Sequence, residues 1–317
     1  MIKKLYERYQ HLLAVLSSKT VYVEKFPTEV RIETINSCNS TCSFCPMNIY
    51  SPETKLRKVV KMDESLFKNI IAELASVKFN GLLKFYTENE PLLDKRITRF
   101  IQYANEKLPN LKGIQIDTNG KLLTEQLGID LIKAGLTYLH VNDYTDTGGG
   151  GVNTKKESIK DIYDKLVTQF PDVKMSYYPR LLHEVLDNRA GHAPNNDYVL
   201  EQPIKSACVF PFYQFCITSN GNIGLCCVDS SFEEPLGNVK ESSITEIWKG
   251  KKFNQFRNDL LKAKRSKKLC SQCTFYGHYD FSEKTKKNAI LYTSLATPDL
   301  LLHKVSKNIH QLINYFK

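Results

Sequence analysis

Short apolar runs alternate with helical periodicity along the first 180 residues of this 317-residue chain. The apolar runs have the length and composition of buried β-strands, and they cover 30–35, 82–86, 113–120, 137–143 and 173–178. The segments between them carry apolar residues three and four positions apart, as amphipathic helices do, and they cover 62–77, 94–108, 125–135 and 156–170. This alternation predicts an α/β fold of parallel βαβ units that close, fully or nearly, into a TIM-like barrel.

The pattern changes after Pro194. The following residues are rich in Cys, Phe, Tyr and turn formers, and Asn220-Gly221 between two short apolar runs predicts a β-hairpin. The periodicity over 243–262 predicts helical structure. We therefore expect a helical N-terminal extension, a barrel domain, a small α+β domain and an amphipathic tail, at residues 1–27, 28–195, 196–280 and 281–317.

The bulk composition is that of an ordinary globular protein, with 42% apolar and 25% charged residues. No apolar run is long enough to predict a membrane span, and the N-terminus lacks the apolar core of a signal peptide, so we expect a cytoplasmic protein. The formal charge of +10 is compatible with an acidic partner. Because the lysines are scattered, the run 262–268 is a short solvated stretch and no binding motif accompanies it, nucleic acid is not an expected partner.

Three of the nine cysteines lie within eight residues, at Cys38, Cys42 and Cys45. They follow the first predicted strand, which is where barrel folds place their chemistry. Clustered cysteines in a reducing compartment bind metal more often than they form disulfides. A structural zinc site would need a fourth nearby ligand, whereas three thiolates can hold three corners of a 4Fe–4S cluster and leave one iron open.

This C-x3-C-x2-C spacing, with an aromatic residue before the last cysteine, resembles the motif of the radical S-adenosylmethionine (SAM) superfamily. The resemblance implies that the open iron binds SAM, and that reductive cleavage of SAM yields a 5′-deoxyadenosyl radical that abstracts hydrogen from a substrate. The stretch TENEPLL, 87–93, matches a Gly-Gly-Glu-Pro-like segment of the family in which both glycines are replaced. The implied SAM contacts are Phe44, Glu88, Asn89, Glu90, Asn119 and Asn142.

A second set of cysteines lies in the small domain: Cys208, Cys226, Cys270 and Cys273. By spacing alone the set could bind zinc or a second 4Fe–4S cluster. The surrounding text, from GNIGLCCVD to CSQC, resembles the SPASM/twitch extension of the radical SAM superfamily, which implies an auxiliary 4Fe–4S cluster; the number of cysteines fits the shorter twitch form. Cys227 is an alternative ligand to Cys226, and Cys216 is expected to be a small buried hydrophobe.

The stretch NRAGHAPN, 188–195, lies where the two predicted domains join, and Arg189 within it is the predicted catalytic residue. Arginine is a poor base, so binding a hydroxyl or carboxylate of the substrate is the role expected of it. Other candidates for proton transfer are His183, His192, Tyr86 and Tyr144.

An electron-carrying auxiliary cluster implies a net oxidation. The implied function is a radical SAM oxidoreductase that converts a small hydroxylated molecule, such as a sugar, an aminocyclitol or a nucleotide-sugar, into a ketone, with flavodoxin or ferredoxin as electron donor. The first alternative is a radical SAM peptide maturase that forms a crosslink or inverts a stereocentre. The second is a zinc-stabilised binding protein without enzymatic activity.

Overall fold

The computed structural model describes residues 26–48, 58–144, 157–180, 185–205, 208, 210–230, 232, 235–265 and 267–275. The predicted N-terminal helix before residue 26, the predicted tail and His183 lie outside the described residues. In the part of the chain that is described, no helix is long and apolar enough to cross a membrane.

A single sheet organises the described chain. Its strands lie in the order β5-β4-β3-β2-β1-β6-β7. They are β1 Glu29–Ile32, β2 Leu82–Lys84, β3 Gly113–Thr118, β4 Tyr138–Asp143, β5 Lys174–Pro179, β6 Gln214–Ile217 and β7 Ile223–Gly224. The first six strands pair in parallel, and β7 pairs antiparallel with β6. The predicted α/β class with parallel βαβ units is confirmed.

Helices alternate with the first five strands and then follow the hairpin. They are α1 Glu64–Ser76, α2 Ile97–Lys107, α3 Glu125–Lys133, α4 Ile159–Gln169, α5 Ile244–Lys249, α6 Lys251–Leu261 and α7 Lys268–Gln272. Their apolar stripes pack on one face of the sheet: Phe67 of α1 stacks on Phe100 of α2 with ring centroids 4.1 Å apart. Val30 and Ile32 of β1 point into this core and are fully buried, as alternation along a strand requires.

The other face of the sheet is polar although it is buried. Glu29 of β1 pairs there with Arg31 at 2.6 Å and with Lys84 of β2 at 2.8 Å. Burial raises the pKa of the Glu29 carboxyl, but the two neighbouring cations outweigh burial, and the net pKa lies below its ordinary value. These buried charges are paired, as burial requires.

The predicted hairpin is present between β6 and β7. Gly221 lies at φ +90°, and a Cβ there would lie 2.8 Å from Asn238 Oδ1, so the turn requires glycine on two grounds. The helical prediction over 243–262 is confirmed, and the segment forms two helices because Gly250 separates α5 from α6 in an extended conformation. The Gly250 N–H closes α5 on the Ile247 carbonyl at 3.0 Å, and a Cβ there would lie 2.9 Å from the Glu246 carbonyl.

Candidate functional site

The loop after β1 carries the first cysteine set. The Cys45 N–H donates to the Cys42 carbonyl at 2.9 Å, which closes a turn between these two cysteines. Burial, and next the charge of Glu90, raises the pKa of the Cys38 thiol to about 11; burial, and next the charge of Glu88, raises the pKa of Cys45 to about 12. Both thiols are therefore protonated at neutral pH, and a metal that bound them would displace the protons.

Glu90 ties together the loops that follow β2 and β3. Its Oε1 accepts from the Leu92 N–H at 3.0 Å and from Thr118 Oγ1 at 2.7 Å, and its Oε2 accepts from the Asn119 N–H at 2.7 Å. Burial raises the pKa of this carboxyl to about 7, even though these donors favour its charged form. Since both oxygens are occupied, the carboxylate of Glu90 braces the loops from within the protein.

Two asparagines of the predicted SAM site lie beside the cysteine loop. The Asn119 amide donates to Asn39 Oδ1 at 2.8 Å and lies 3.7 Å from the Cys38 sulfur. Asn89 Oδ1 accepts from the Thr87 N–H at 3.0 Å, while its Nδ2 is buried and has no hydrogen-bond partner within the described residues. A buried amide without a partner points to a ligand that would complete the bonding here.

Phe44 and Asn142 belong to a third group of side chains. The Phe44 ring lies 5.9 Å from the ring of Tyr144, just beyond β4. Arg180, just beyond β5, lies over the Tyr144 ring at 5.9 Å and donates to Asn142 Oδ1 at 2.7 Å. No sequence motif contains Arg180, so sequence reasoning missed its place at this edge of the sheet.

Arg189 reaches into the site from the segment that leads away from β5. It lies in a 3-10 turn, Arg189–Gly191, and its guanidinium pairs with Glu88 at 3.3 Å. The Glu88 carboxylate is the main cause that raises the pKa of Arg189, so the guanidinium stays charged. Its charge also acts on Cys45 of the first set. The preceding residue, Asn188, accepts from the Thr274 N–H at 3.1 Å, so the segment of Arg189 also contacts the second set next to Cys273.

One apolar pocket is lined by all four cysteines of the second set: Cys208, Cys226, Cys270 and Cys273. Apolar side chains such as Phe210, Leu225, Leu269 and Phe275 also line it. Cys227 does not line this pocket, and the cations that act on its thiol are Arg31 and Arg189. The geometry therefore favours Cys226 over Cys227 as a ligand. Cys216 is buried, as expected.

The donor set of this pocket fits a cluster. Among the described residues, no three His, Cys, Asp or Glu side chains converge as the ligands of a single metal ion would. Four thiols spread around a shared apolar space suit a cubane, whose ligands bind at separate corners. Burial raises the pKa of Cys270 to about 12 and that of Cys273 to about 11.

Arg265 also lines this pocket and corrects an expectation. The run 262–268 was expected to be solvated, yet Arg265 within it is only 3% exposed. Its Nη1 donates to the Phe275 carbonyl at 2.6 Å, and its charge acts on the thiols of Cys208, Cys270 and Cys273. A buried arginine in a charge run is hard to recognise from sequence, because most of the lysines near it are exposed.

Comparison with known proteins agrees with this geometry. The family model of the radical SAM superfamily matches residues 32–142, and that of the SPASM iron–sulfur cluster-binding domain matches residues 208–274. The chain is 29% identical to the S-adenosyl-L-methionine-dependent 2-deoxy-scyllo-inosamine dehydrogenase of Niallia circulans, over 79% of this chain and 94% of that protein.

Solved structures show the same fold. The crystal structure of BtrN in complex with AdoMet and 2-DOIA matches with a TM-score of 0.68 and 28% identity, over 81% of this chain and 98% of that chain. Native anSMEcpe with bound AdoMet shares the fold at a TM-score of 0.53 and 14% identity, over 89% of this chain and 100% of that chain.

The two family matches coincide with the two cysteine sets. The first begins at the last residue of β1 and includes Cys38, Cys42 and Cys45, and the second begins at Cys208 and ends one residue beyond Cys273. The two family matches imply that the cofactors are SAM and iron–sulfur clusters. The chain is a radical SAM enzyme with a C-terminal iron–sulfur cluster-binding domain of the SPASM type.

Proposed function

We propose that this enzyme oxidises a hydroxyl-bearing carbon of a small polar molecule to a ketone, and that its substrate is an aminocyclitol or a sugar. The observation that carries the proposal is the position of Arg189. Its guanidinium pairs with Glu88 in the loop after β2, and the preceding residue, Asn188, accepts from the N–H of Thr274, next to Cys273, at 3.1 Å. A substrate bound at Arg189 would therefore lie near both cysteine sets. The similarity to a 2-deoxy-scyllo-inosamine dehydrogenase over most of both chains supports the substrate class.

The proposed ligands follow from the two cysteine sets. Cys38, Cys42 and Cys45 would hold the SAM-binding 4Fe–4S cluster, and the auxiliary cluster would be held by Cys208, Cys226, Cys270 and Cys273. When bound, SAM and its cluster supply a 5′-deoxyadenosyl radical that removes hydrogen, and the auxiliary cluster supplies a one-electron acceptor.

The side chains around these cysteines would bind SAM and substrate. We propose that Asn89, Asn119 and Asn142 bind the polar groups of SAM, that Phe44 covers it with apolar surface, and that Glu90 acts by bracing the loops. Glu88 stays a predicted SAM contact, and its carboxylate also holds Arg189 in place.

Arg189 is proposed to bind a substrate oxygen. Its Nε is buried and has no hydrogen-bond partner within the described residues, so it has a donor to offer. The guanidinium stays charged because of Glu88, and it can therefore stabilise negative charge that develops on an alcohol oxygen as its proton leaves. Tyr86, Tyr144 and His192 stay candidates for the group that accepts this proton.

We propose that a small acidic electron carrier such as flavodoxin or ferredoxin reduces the enzyme. The net charge of +10 supports this, and so do the exposed lysines at positions 262, 264 and 268 next to the second cysteine set.

The test is an anaerobic assay of the reconstituted enzyme with SAM and 2-deoxy-scyllo-inosamine, together with a panel of sugars and peptides. Reduced flavodoxin, ferredoxin or dithionite supplies electrons in parallel reactions. We expect an aminocyclitol or sugar to lose two hydrogen atoms, detected by mass spectrometry, and Cys45→Ala to abolish this product. A modified peptide with every polyol unchanged would instead support the peptide maturase. Activity with dithionite but with neither carrier would overturn the electron-donor proposal.

A further inference from the structure

Asn188 makes an unusually complete set of hydrogen bonds at the centre of the molecule. The residue is fully buried. Its Nδ2 donates to the Gln272 carbonyl at 2.6 Å and to the Tyr198 carbonyl at 3.1 Å. Its Oδ1 accepts from Thr274 Oγ1 at 2.9 Å, from the Thr274 N–H at 3.1 Å and from the Ala190 N–H at 3.1 Å. Both ends of the amide are thereby satisfied by protein groups.

These bonds connect two functional segments that are far apart in sequence. Gln272 and Thr274 are the two neighbours of Cys273, which lies in the second cysteine set. Asn188 directly precedes Arg189, whose guanidinium pairs with Glu88. The backbone N–H of Asn188 also donates to Thr274 Oγ1 at 3.1 Å, so side chain and backbone of one residue both hold the turn around Cys273.

The turn that carries Arg189 needs such support. Arg189 and Ala190 lie at φ +48° and +57°, a region that residues with a Cβ rarely adopt unless the surroundings enforce it. To cap this turn, the Asn188 side chain needs only the bond that the Ala190 N–H donates to its Oδ1. The additional bonds to Gln272 and Thr274 exceed what a cap needs and anchor the strained turn to the cysteine segment.

We propose that Asn188 is a positioning residue. Through it, binding of the auxiliary cluster to Cys270 and Cys273 positions Arg189 so that it can bind the substrate. This inference rests on the proposed auxiliary ligands and on the proposed role of Arg189. A cluster that fixes Cys273 fixes Gln272 and Thr274 with it, and these hold the Asn188 amide. The auxiliary cluster would thus have a structural role in forming the substrate site, in addition to accepting an electron.

The first test measures the turn itself, without turnover. Hydrogen exchange of the amides of 188–193 is followed by mass spectrometry in loaded wild type and in Cys270→Ser/Cys273→Ser, which lacks two proposed ligands. We expect exchange there to rise about tenfold in the double variant, since an opening that costs 1.4 kcal/mol less is tenfold more frequent. Unchanged exchange in 188–193 would overturn the proposal.

The second test separates positioning from general stability. Thr274→Val removes the hydroxyl that bonds both the backbone and the side chain of Asn188, Thr274→Ser restores it, and Asn188→Ala removes the whole amide. Asn196→Ala is the matched control, because Asn196 bonds within the same segment, to Leu186 and Tyr198.

We expect Thr274→Val to raise the substrate KM about tenfold and to raise exchange in 188–193, with the iron content and the auxiliary-cluster spectrum of wild type. Thr274→Ser and Asn196→Ala should behave as wild type, and Asn188→Ala should exceed Thr274→Val in both measurements. If Asn188→Ala fails to fold, the comparison of Thr274→Val with Thr274→Ser still tests the proposal. Equal KM and equal exchange in Thr274→Val and Thr274→Ser would refute the coupling.

The outcomes also distinguish this inference from the proposed function. If loading changes exchange in 188–193 but no polyol is oxidised, the coupling stands and the proposed reaction fails. If wild type binds no second cluster, the proposed ligand set and the coupling fail together.

Discussion

At the scale of single residues, Arg265 is the most consequential side chain outside the sequence motifs. It lines the pocket with the four thiols of the second cysteine set, is almost wholly buried, and is held by the Phe275 carbonyl. Phe275 in turn stacks on Phe210, with ring centroids 4.8 Å apart. A fixed cation in a low-dielectric pocket favours whichever redox state carries more negative charge.

Arg265→Gln should therefore lower the reduction potential of the auxiliary cluster by tens of millivolts, because the reduced cluster loses a buried countercharge. Redox titration followed by electron paramagnetic resonance measures this. Lys264→Gln is the matched control: it removes the same charge one position away, where water screens it. Equal shifts in both variants would mean that net charge, and not the buried position, controls the potential.

The residues that the sequence predicts best at this site are those whose chemistry is local. Cys38, Cys42 and Cys45 are recognisable because their spacing lies within one loop. The bonds of Asn142 to Arg180 and of Asn188 to Thr274 join residues 38 and 86 positions apart. No local pattern indicates such pairs, so the partners of these two asparagines are visible only in the fold.

At the scale of elements, the break at Gly250 shows what helical periodicity leaves open. The apolar stripe continues from α5 into α6, with Trp248 and Phe253 both buried and their rings 5.1 Å apart. An apolar stripe therefore predicts that α5 and α6 both face the core, but it does not predict whether they form one continuous helix. The capping box at Ser243, by contrast, is readable from sequence because its partner, Glu246, lies three residues ahead.

Ser243→Ala should destabilise the protein by about 1 kcal/mol, because the Glu246 N–H loses the Ser243 Oγ acceptor at 3.1 Å and α5 carries the buried Trp248. The readout is the thermal unfolding midpoint of anaerobically prepared protein. Ser242→Ala, at an exposed neighbouring position, should leave the midpoint unchanged. If the unfolding midpoint fell by a similar amount in both variants, loss of the helix cap would not be the cause.

At the scale of the whole molecule, the two cysteine sets predict the metal content. Two 4Fe–4S clusters correspond to about eight iron atoms per chain after anaerobic reconstitution. Metal analysis should find about four in Cys38→Ala and about four in Cys270→Ala, since each variant loses one set of ligands. Cys270→Ala should still form 5′-deoxyadenosine, whereas Cys38→Ala should form none.

Zinc in place of iron would support the binding-protein alternative instead. Normal product formation by Cys270→Ala would remove the electron-acceptor role from the second set.

The overall architecture was predictable as far as the repeating βα pattern extends. The pairing of β1 with β6, which sets Val30 opposite Phe215, was not. Both strands are short and apolar, and such runs specify burial but no partner. The domain boundaries predicted from composition stay a prediction.

The β1–β6 pairing has a consequence for biosynthesis. On the ribosome, β1 emerges early, while β6 is translated only after most of the chain has been made. During this interval the nascent sheet carries an open edge along β1, with unpaired amide and carbonyl groups that can capture another polypeptide. Slow translation or crowding of partly made chains should therefore favour aggregation of this enzyme, and its yield on overexpression should rise when a chaperone shields each chain until its later strand has been made.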